Sequence, residues 1–200
     1  IIGKFDALWA RVICYLALSP VRVSGRELVD MKKPYIFLPN HQGAFDVFVI
    51  YGWIGNPFAW IMKQELRKIP LVGAACAAVG HIFLDRSSRQ KSVKTLLEAE
   101  KTLKENNRSV VLFPEGTRTK TGEIGKFKRG AFAMARDMHL PIVPVTIKGS
   151  FEVLPKRGFW IKPTRMEMIF HEPIETSGLT DENMNQYVEQ THSIIAADLA

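Results

Sequence analysis

The sequence predicts a single α/β domain in which helices flank a largely parallel or mixed sheet. Short apolar runs alternate with stretches of helical period along the chain, and neither a repeat nor a low-complexity linker interrupts them. The chain has 200 residues, of which 46% are hydrophobic and 24% charged. That size and composition suit one globular domain with a core of its own.

Six short apolar runs are typical of strands, and turn residues or prolines close several of them. These predicted strands cover residues 35–38, 58–62, 81–84, 109–113, 142–147 and 165–170. The last run alternates apolar and polar residues, so we expect it at or near a sheet edge. Helices are predicted over residues 44–54, 66–79, 131–138 and 181–199, and from a cap at Ser87 or Ser88 to Asn106.

The N-terminal segment Phe5–Leu18 is more apolar than the later helices. One interpretation is a first helix packed on the core. The other is an interfacial helix, or the end of a longer anchor, in which Trp9, Val12, Ile13 and Leu16 face the lipid. No apolar run reaches the roughly 18 residues that would span a bilayer. We favour the membrane interpretation, which divides the chain into an interfacial helix at 1–19 and an α/β domain at 20–200.

Charge and cysteine content narrow the possible classes of protein. The formal net charge is +7, yet residues 171–200 hold six acidic residues and no Lys or Arg. The basic body therefore predicts an anionic partner: nucleic acid, a phospholipid surface or a phosphorylated small molecule. Cys14 and Cys76 stand 62 positions apart without a CxxC motif, which excludes a zinc ribbon, an iron–sulfur site and a disulfide scaffold.

The first candidate site is the stretch from Asn40 to Asp46, directly after a predicted strand. His41 and Asp46 are five residues apart, about 140° around a regular helix, so they meet only if His41 lies in the loop and Asp46 in the first helical turn. The carboxylate would then select the imidazole tautomer and leave Nε2 as a general base. The alternative is a helix-capping cluster, which the spacing alone does not exclude.

Two further polar stretches follow predicted strands, where sites of α/β proteins gather. Phe113–Thr119 carries Glu115 and Arg118, and the guanidinium of Arg118 suits phosphate. Gly80–Arg86 ends in an Asp-Arg pair, which alone indicates little more than a surface contact. The G-x-S-x-G elbow, the P-loop and the G-x-G-x-x-G fingerprint are all absent from the sequence.

Together these stretches resemble the glycerophospholipid acyltransferase family, most closely its bacterial 1-acylglycerol-3-phosphate O-acyltransferases. The resemblance covers about residues 20–175 and depends on four blocks in the family's order. The first block, N-H-x-x-x-x-D, is matched by Asn40, His41 and Asp46, and the second, G-x-I-F-I-D-R, by Gly80, Phe83, Asp85 and Arg86, with Leu84 at an apolar position. The third block, F-P-E-G-T-R, is matched by Phe113 to Arg118. The fourth is an apolar segment with two prolines, matched by Leu140 to Val145.

The resemblance implies transfer of an acyl group from acyl-coenzyme A or acyl–acyl carrier protein to the sn-2 hydroxyl of 1-acylglycerol-3-phosphate, without metal or other cofactor. His41 would be the general base and Asp46 its partner. The residues expected to bind the acceptor and its phosphate are Arg86, Glu115, Gly116, Thr117 and Arg118, and the basic residues Lys63, Lys126 and Lys128 are candidates for the same role. The protein would act at the cytoplasmic face of the inner membrane, peripherally or anchored.

Two alternatives remain at this point. The acceptor could be another lysolipid, such as lyso-ornithine lipid, or glycerol 3-phosphate, because the motifs specify the chemistry better than the substrate. A non-enzymatic module that binds anionic surfaces or nucleic acid is the other alternative. A nucleic-acid module predicts aromatics interleaved with Lys and Arg on an exposed face. Here the basic residues cluster after strand ends instead, so nucleic acid is not expected as a partner.

Overall fold

A computed structural model describes residues 2–85, 88–156 and 158–200. Its centre is a seven-stranded sheet in the order β1-β7-β6-β2-β5-β3-β4. The strands are β1 Val21–Ser24, β2 Ile36–Pro39, β3 Phe58–Lys63, β4 Ile82–Leu84, β5 Ser109–Val111, β6 Ile142–Lys148 and β7 Met166–Phe170. Neighbouring strands are parallel except β6 and β7, so the sheet is mixed as predicted.

Helices cover both faces of this sheet. They are α1 Ile2–Leu16, α2 Asp46–Trp53, α3 Val72–Ala78, α4 Arg89–Glu105, α5 Arg129–Asp137, α6 Ser150–Val153 and α7 Met184–Leu199. One core cluster packs α4, α5 and α7 on the sheet, and the other packs α1 and α2. In β2, Ile36 and Leu38 face the first cluster while Phe37 faces the second, as the alternation of a strand buried on both sides requires.

The topology brings several loops to one edge of the sheet. The strands β2 to β6 all point the same way, while β1 and β7 run opposite to them. The C-terminal ends of β2 to β6 therefore lie at the same edge as the first residues of β1 and β7. We call this edge the carboxyl edge and the opposite one the amino edge.

The structure confirms the six predicted strands within two residues at each end. The strand from Met166 to Phe170 is near an edge, with only β1 outside it. β1 itself was not predicted, because four residues with two polar side chains give a weak pattern. The predicted helix over 66–79 is wrong in its first half: Gln64–Lys68 forms a 3-10 turn and α3 starts at Val72. Pro70 disfavours helical backbone at Ile69, which separates the two.

Helix α1 packs on α2 through part of its surface. Ala10 and Cys14 are buried there, and the Trp9 ring lies 5.5 Å from that of Phe48. Trp9 and Ile13 thus face the protein, which corrects the expected lipid-facing set. The apolar residues exposed on α1 are Phe5, Leu8, Val12, Tyr15 and Leu16. Within the described ranges, no helix is long and apolar enough to cross a membrane.

Candidate active site

His41 and Asp46 lie together at the carboxyl edge, beside the centre of the sheet. His41 follows β2 through Asn40, and Asp46 is the first residue of α2, the placement that the spacing requires for contact. His41 Nδ1 lies 2.8 Å from Asp46 Oδ2, and the Asp46 side chain is fully buried. The same Oδ2 accepts hydrogen bonds from the backbone N–H groups of Gln42 and Gly43, at 2.8 and 3.0 Å.

Asp46 accepts hydrogen bonds from the amides at the start of the helix and also lies beside the imidazole of His41. The stretch is therefore both a helix-capping cluster and a His–Asp pair. The amides stabilise the negative charge of the carboxylate. A carboxylate next to Nδ1 favours the tautomer with hydrogen on Nδ1, so Nε2 carries a lone pair. His41 is 16% exposed, and its Nε2 makes no hydrogen bond with any residue in the described ranges. The ring can therefore take a proton from a bound hydroxyl.

An aromatic stack fixes the plane of the His41 ring. The Phe113 ring lies parallel to it, with centroids 3.7 Å apart and an interplanar angle of 10°. Trp60 stacks on the other side of Phe113, at 5.4 Å. Phe113 follows β5 and Trp60 belongs to β3, so three adjacent strands contribute one ring each. The sequence around Trp60 gives no signal for a role at the site, because the residue lies inside an apolar strand.

Glu115 connects the two motif loops through its carboxylate. Oε1 accepts a hydrogen bond from His41 N at 2.7 Å, and Oε2 accepts one from Gly125 N at 2.9 Å. The side chain is buried, and burial raises its pKa while the two backbone donors oppose that shift. A Cβ on residue 125 would lie 2.7 Å from Oε2, so glycine permits this approach. Glu115 thus holds the loop around the histidine, whereas direct contact with the acceptor stays a prediction.

The loop from residue 113 to residue 128 brings most of the predicted phosphate-binding residues beside His41. Gly116 has φ +74°, and a Cβ there would approach Lys128 Nζ to 2.7 Å, so the turn places Lys128 over Gly116. Thr117 Oγ1 accepts a hydrogen bond from Lys156 Nζ at 2.8 Å. Arg118 is half-buried and Lys126 is exposed. Thr119 N donates to His41 O at 3.0 Å and closes the loop on the histidine.

Lys63 lies further along the carboxyl edge than the residues of this loop. Lys63 ends β3, is exposed, and pairs in register with Leu84 of β4. Arg86 comes two positions after Leu84 and lies outside the described residues, as does Ser87. The strand order places both strand ends on the β5 side of His41.

Three polar contacts at the site were not predicted as such. Gln42 Nε2 donates to Gly122 O at 2.6 Å, and Asn40 exchanges two hydrogen bonds with the backbone of Ile147 on β6. Lys156 reaches Thr117 from a segment 39 residues away. The sequence gave no signal for Lys156, whereas Asn40 and Gln42 lie inside the first motif. Within the described ranges, no group of three or more His, Cys, Asp or Glu side chains is placed to hold a metal ion.

His81 lies outside the candidate site. His81 is buried at the amino edge, beside a cavity of about 1120 Å³. Its Nδ1 accepts a hydrogen bond from Trp60 N at 3.3 Å, and its Nε2 lies 3.0 Å from Tyr51 Oη. Burial and the nearby charge of Arg108 lower the pKa of His81 to about 4. A histidine that begins a predicted apolar strand is expected to be buried and hydrogen-bonded, and the structure confirms this for His81.

A histidine backed by a buried carboxylate at a strand end, beside a basic loop, defines a site for activating a hydroxyl near an anionic group. Residues 20–148 match the profile of the Acyltransferase family, and the chain belongs to that family. The 1-acyl-sn-glycerol-3-phosphate acyltransferase of Saccharomyces cerevisiae is 38% identical over 201 residues, covering 95% of this chain and 65% of the yeast protein. The Cocos nucifera protein of the same name is 30% identical over 184 residues, covering 92% of this chain and 59% of that protein.

The fold is also that of a solved structure. The 1-acyl-sn-glycerophosphate (LPA) acyltransferase PlsC from Thermotoga maritima matches with a TM-score of 0.81 and 29% identity, covering 99% of this chain and 78% of that one. The chain therefore spans less than two thirds of the length of the yeast and coconut proteins, and 78% of the length of the Thermotoga chain.

Proposed function

We propose that the protein transfers an acyl group from a thioester to the sn-2 hydroxyl of 1-acylglycerol-3-phosphate, which gives phosphatidic acid. The observation that carries the proposal is the His41–Asp46 pair, with Nδ1 held at 2.8 Å and Nε2 left without a partner among the described residues. The names of the yeast, coconut and Thermotoga relatives support the same acceptor.

The transfer is a single displacement at the thioester carbonyl. The sn-2 hydroxyl gives its proton to His41 Nε2 while its oxygen attacks the carbonyl carbon. Asp46 stabilises the imidazolium that forms, as the aspartate of a serine-protease triad does, with the substrate hydroxyl in place of serine. The tetrahedral intermediate collapses, the carbon–sulfur bond breaks, and the thiolate takes the proton back from the imidazolium. No acyl-enzyme forms, and the thioester is a co-substrate, so this scheme uses no other cofactor.

Phosphate recognition is assigned to the loop beside His41. The guanidinium of Arg118 suits the planar, bidentate contact that phosphate oxygens accept. Lys126 and Lys128 add positive charge, and the Thr117 hydroxyl and the turn at Gly116 complete this surface. Lys63, exposed at the end of β3, extends it along the carboxyl edge, and Arg86 is assigned to the same role from its motif. Glu115 acts through the backbone of His41 and Gly125, as a positioning residue.

The donor is acyl-coenzyme A or acyl–acyl carrier protein, and the acceptor is a membrane lipid. The enzyme would therefore work at the cytoplasmic face of the inner membrane, peripherally or through an anchor. Another lysolipid, lyso-ornithine lipid for example, or glycerol 3-phosphate would fit the same acyl-transfer chemistry. A basic module that binds anionic surfaces without transfer is the non-enzymatic alternative.

Radiolabelled acyl transfer separates these possibilities. The purified protein is incubated with each labelled donor and with 1-acylglycerol-3-phosphate, lyso-ornithine lipid or glycerol 3-phosphate, and the lipids are resolved by chromatography. We expect labelled phosphatidic acid, and at most about a hundredth of that amount with His41→Ala. A preference for another acceptor would show that the assigned substrate is wrong. The absence of any labelled product would overturn the proposed reaction.

A further inference from the structure

A loop at the carboxyl edge exposes three consecutive large apolar side chains. Phe159, Trp160 and Ile161 are 94%, 83% and 51% exposed. We call these three residues the tip. A contiguous apolar group of this size on a protein surface marks a place of interaction. Trp in particular favours the headgroup region of a bilayer, where its ring is buried and its N–H stays hydrated.

The base of the tip loop is tied to the candidate active site. Lys162 N donates to Val153 O, and Gly158 N donates to Pro155 O, both at 3.0 Å, so the loop is closed at its root. The same segment contacts the His41 loop: Ala44 N donates to Leu154 O at 3.1 Å. A Cβ at residue 43 would lie 2.1 Å from Ser150 O, so glycine allows the two backbones to meet. The root of the tip loop therefore lies directly beside the His41 loop.

The topology places other exposed apolar residues at the same edge. Leu16 and Leu18 are exposed just before β1, which begins at the carboxyl edge. Ser19 Oγ accepts a hydrogen bond from Thr164 N at 3.2 Å and joins this segment to the tip loop. On the other side of His41, the segment 66–71 follows β3 and exposes Leu66, Ile69 and Leu71. Exposed apolar side chains thus flank the site in both directions along the sheet.

The charge around the tip favours an anionic partner. Residues 154–165 contain four basic residues and no acidic one. Of these, Lys162 and Arg165 are exposed beside the tip. A protein partner would more often be met by a mixed polar rim around the apolar centre. Aromatic side chains between positive charges instead match an anionic lipid surface, where apolar insertion and electrostatic attraction add.

We propose that the carboxyl edge is a membrane-docking surface, in which the tip enters the headgroup boundary of an anionic bilayer and the His41 site faces that bilayer. The orientation of the site toward the bilayer rests on the proposed function. The inference deepens that function by naming the surface across which a lipid acceptor would reach His41. Contact with the bilayer does not depend on the proposed reaction, because it rests on the exposed apolar side chains and the charges of this edge.

Vesicle sedimentation measures this contact directly. The full chain is mixed with phosphatidylglycerol-rich or pure phosphatidylcholine vesicles at low and high salt. We expect tighter binding to the anionic vesicles, weakening with salt, and a loss of at least about tenfold in partition when Phe159, Trp160 and Ile161 are all changed to Ser. The matched control is Leu28→Ser, because Leu28 is exposed at the amino edge and should leave binding unchanged.

Tryptophan fluorescence tests insertion of the tip without destroying it. Trp160 is the most exposed of the four Trp residues, so vesicles should shift its emission to the blue and brominated lipids should quench it. Trp160→Phe should keep most of the binding and lose most of this signal. Equal partition of the Ser variant and the wild type, or no blue shift on binding, would overturn the docking surface.

Activity on a short-chain 1-acylglycerol-3-phosphate below its critical micelle concentration separates the two proposals. The Ser variant should acylate this monomeric acceptor at the wild-type rate while losing activity on vesicles. Tip-dependent vesicle binding without any acyl transfer would leave the docking surface standing and remove the proposed reaction. Acyl transfer together with vesicle binding that does not depend on the tip would support the proposed reaction and overturn the docking surface.

Discussion

The carboxylate of Glu115 accepts a hydrogen bond from the backbone N–H of His41 at 2.7 Å, although 74 residues separate the two. Its second oxygen accepts from Gly125 N, so one side chain joins the loops that follow β2 and β5. This arrangement connects the candidate base directly to the basic loop. A change at Glu115 should therefore act on both without touching the imidazole itself.

Glu115→Gln should lower kcat by on the order of 10²-fold, because an amide has a single acceptor oxygen and one of the two backbone donors loses its partner. Steady-state kinetics, with circular dichroism to check the fold, measure the effect. Glu123→Gln is the control, an exposed glutamate of the same loop whose side chain makes no hydrogen bond within the described ranges. Wild-type turnover by Glu115→Gln would contradict the positioning role.

His41→Ala should remove nearly all transfer, by about 10²- to 10⁴-fold in kcat, while the fold stays intact. Asp46→Asn should also be severe, since an amide no longer selects the Nδ1–H tautomer. His139→Ala serves as the control because His139 lies exposed after α5, away from the motif loops. A folded His41→Ala protein with near-normal turnover would rule out the mechanism.

Phe113→Leu should reduce kcat by on the order of tenfold with little change in KM, because the His41 ring loses the parallel face that sets its plane. Phe113→Tyr keeps an aromatic ring and should restore most of the activity. Separate determination of kcat and KM for both variants tests this. If Leu and Tyr variants behave alike, the stack has no role in orienting the imidazole.

Arg118→Ala should raise the KM for the phosphorylated acceptor by about 10- to 100-fold, because a charge-assisted hydrogen bond to phosphate is lost. Lys120→Ala, an exposed basic change in the same loop, is the matched control and should have little effect. The assay varies acceptor and thioester independently. An increase confined to the thioester KM would assign Arg118 to the donor instead.

Protein stability should fall as the pH drops from about 6.5 to about 4, because burial lowers the pKa of His81 to about 4 in the folded protein. The unfolded chain takes up the proton first, so unfolding binds protons in that interval and becomes easier. This group can contribute up to about 3 kcal/mol of the loss. Urea unfolding at several pH values should show a shallower dependence for His81→Phe than for the wild type. An unchanged slope would exclude His81 as its source.

Local sequence was sufficient for every described strand except β1, and it offered the contact between His41 and Asp46 as one of two interpretations of that stretch. Apolar runs such as Ile36–Pro39 are buried on both faces, so their pattern is strong and contained in a few consecutive residues. The His–Asp contact spans only five positions, and a loop followed by a helix start offers few ways to place them. Motif order then implied the edge of the sheet where the site lies, since parallel strands end together.

Tertiary structure decided the contacts between distant parts of the chain. Glu115 resembles a substrate-binding acid in the sequence, yet its oxygens bind the backbone of His41 and Gly125. Asp198 of α7 lies 3.1 Å from His171 Nε2, although the two residues are far apart in the sequence. Trp9 and Phe159 are both aromatic residues, yet Trp9 packs half-buried against α2 while Phe159 is left in solvent. A side chain's surroundings depend on which elements pack against it, and residues far along the chain determine that packing.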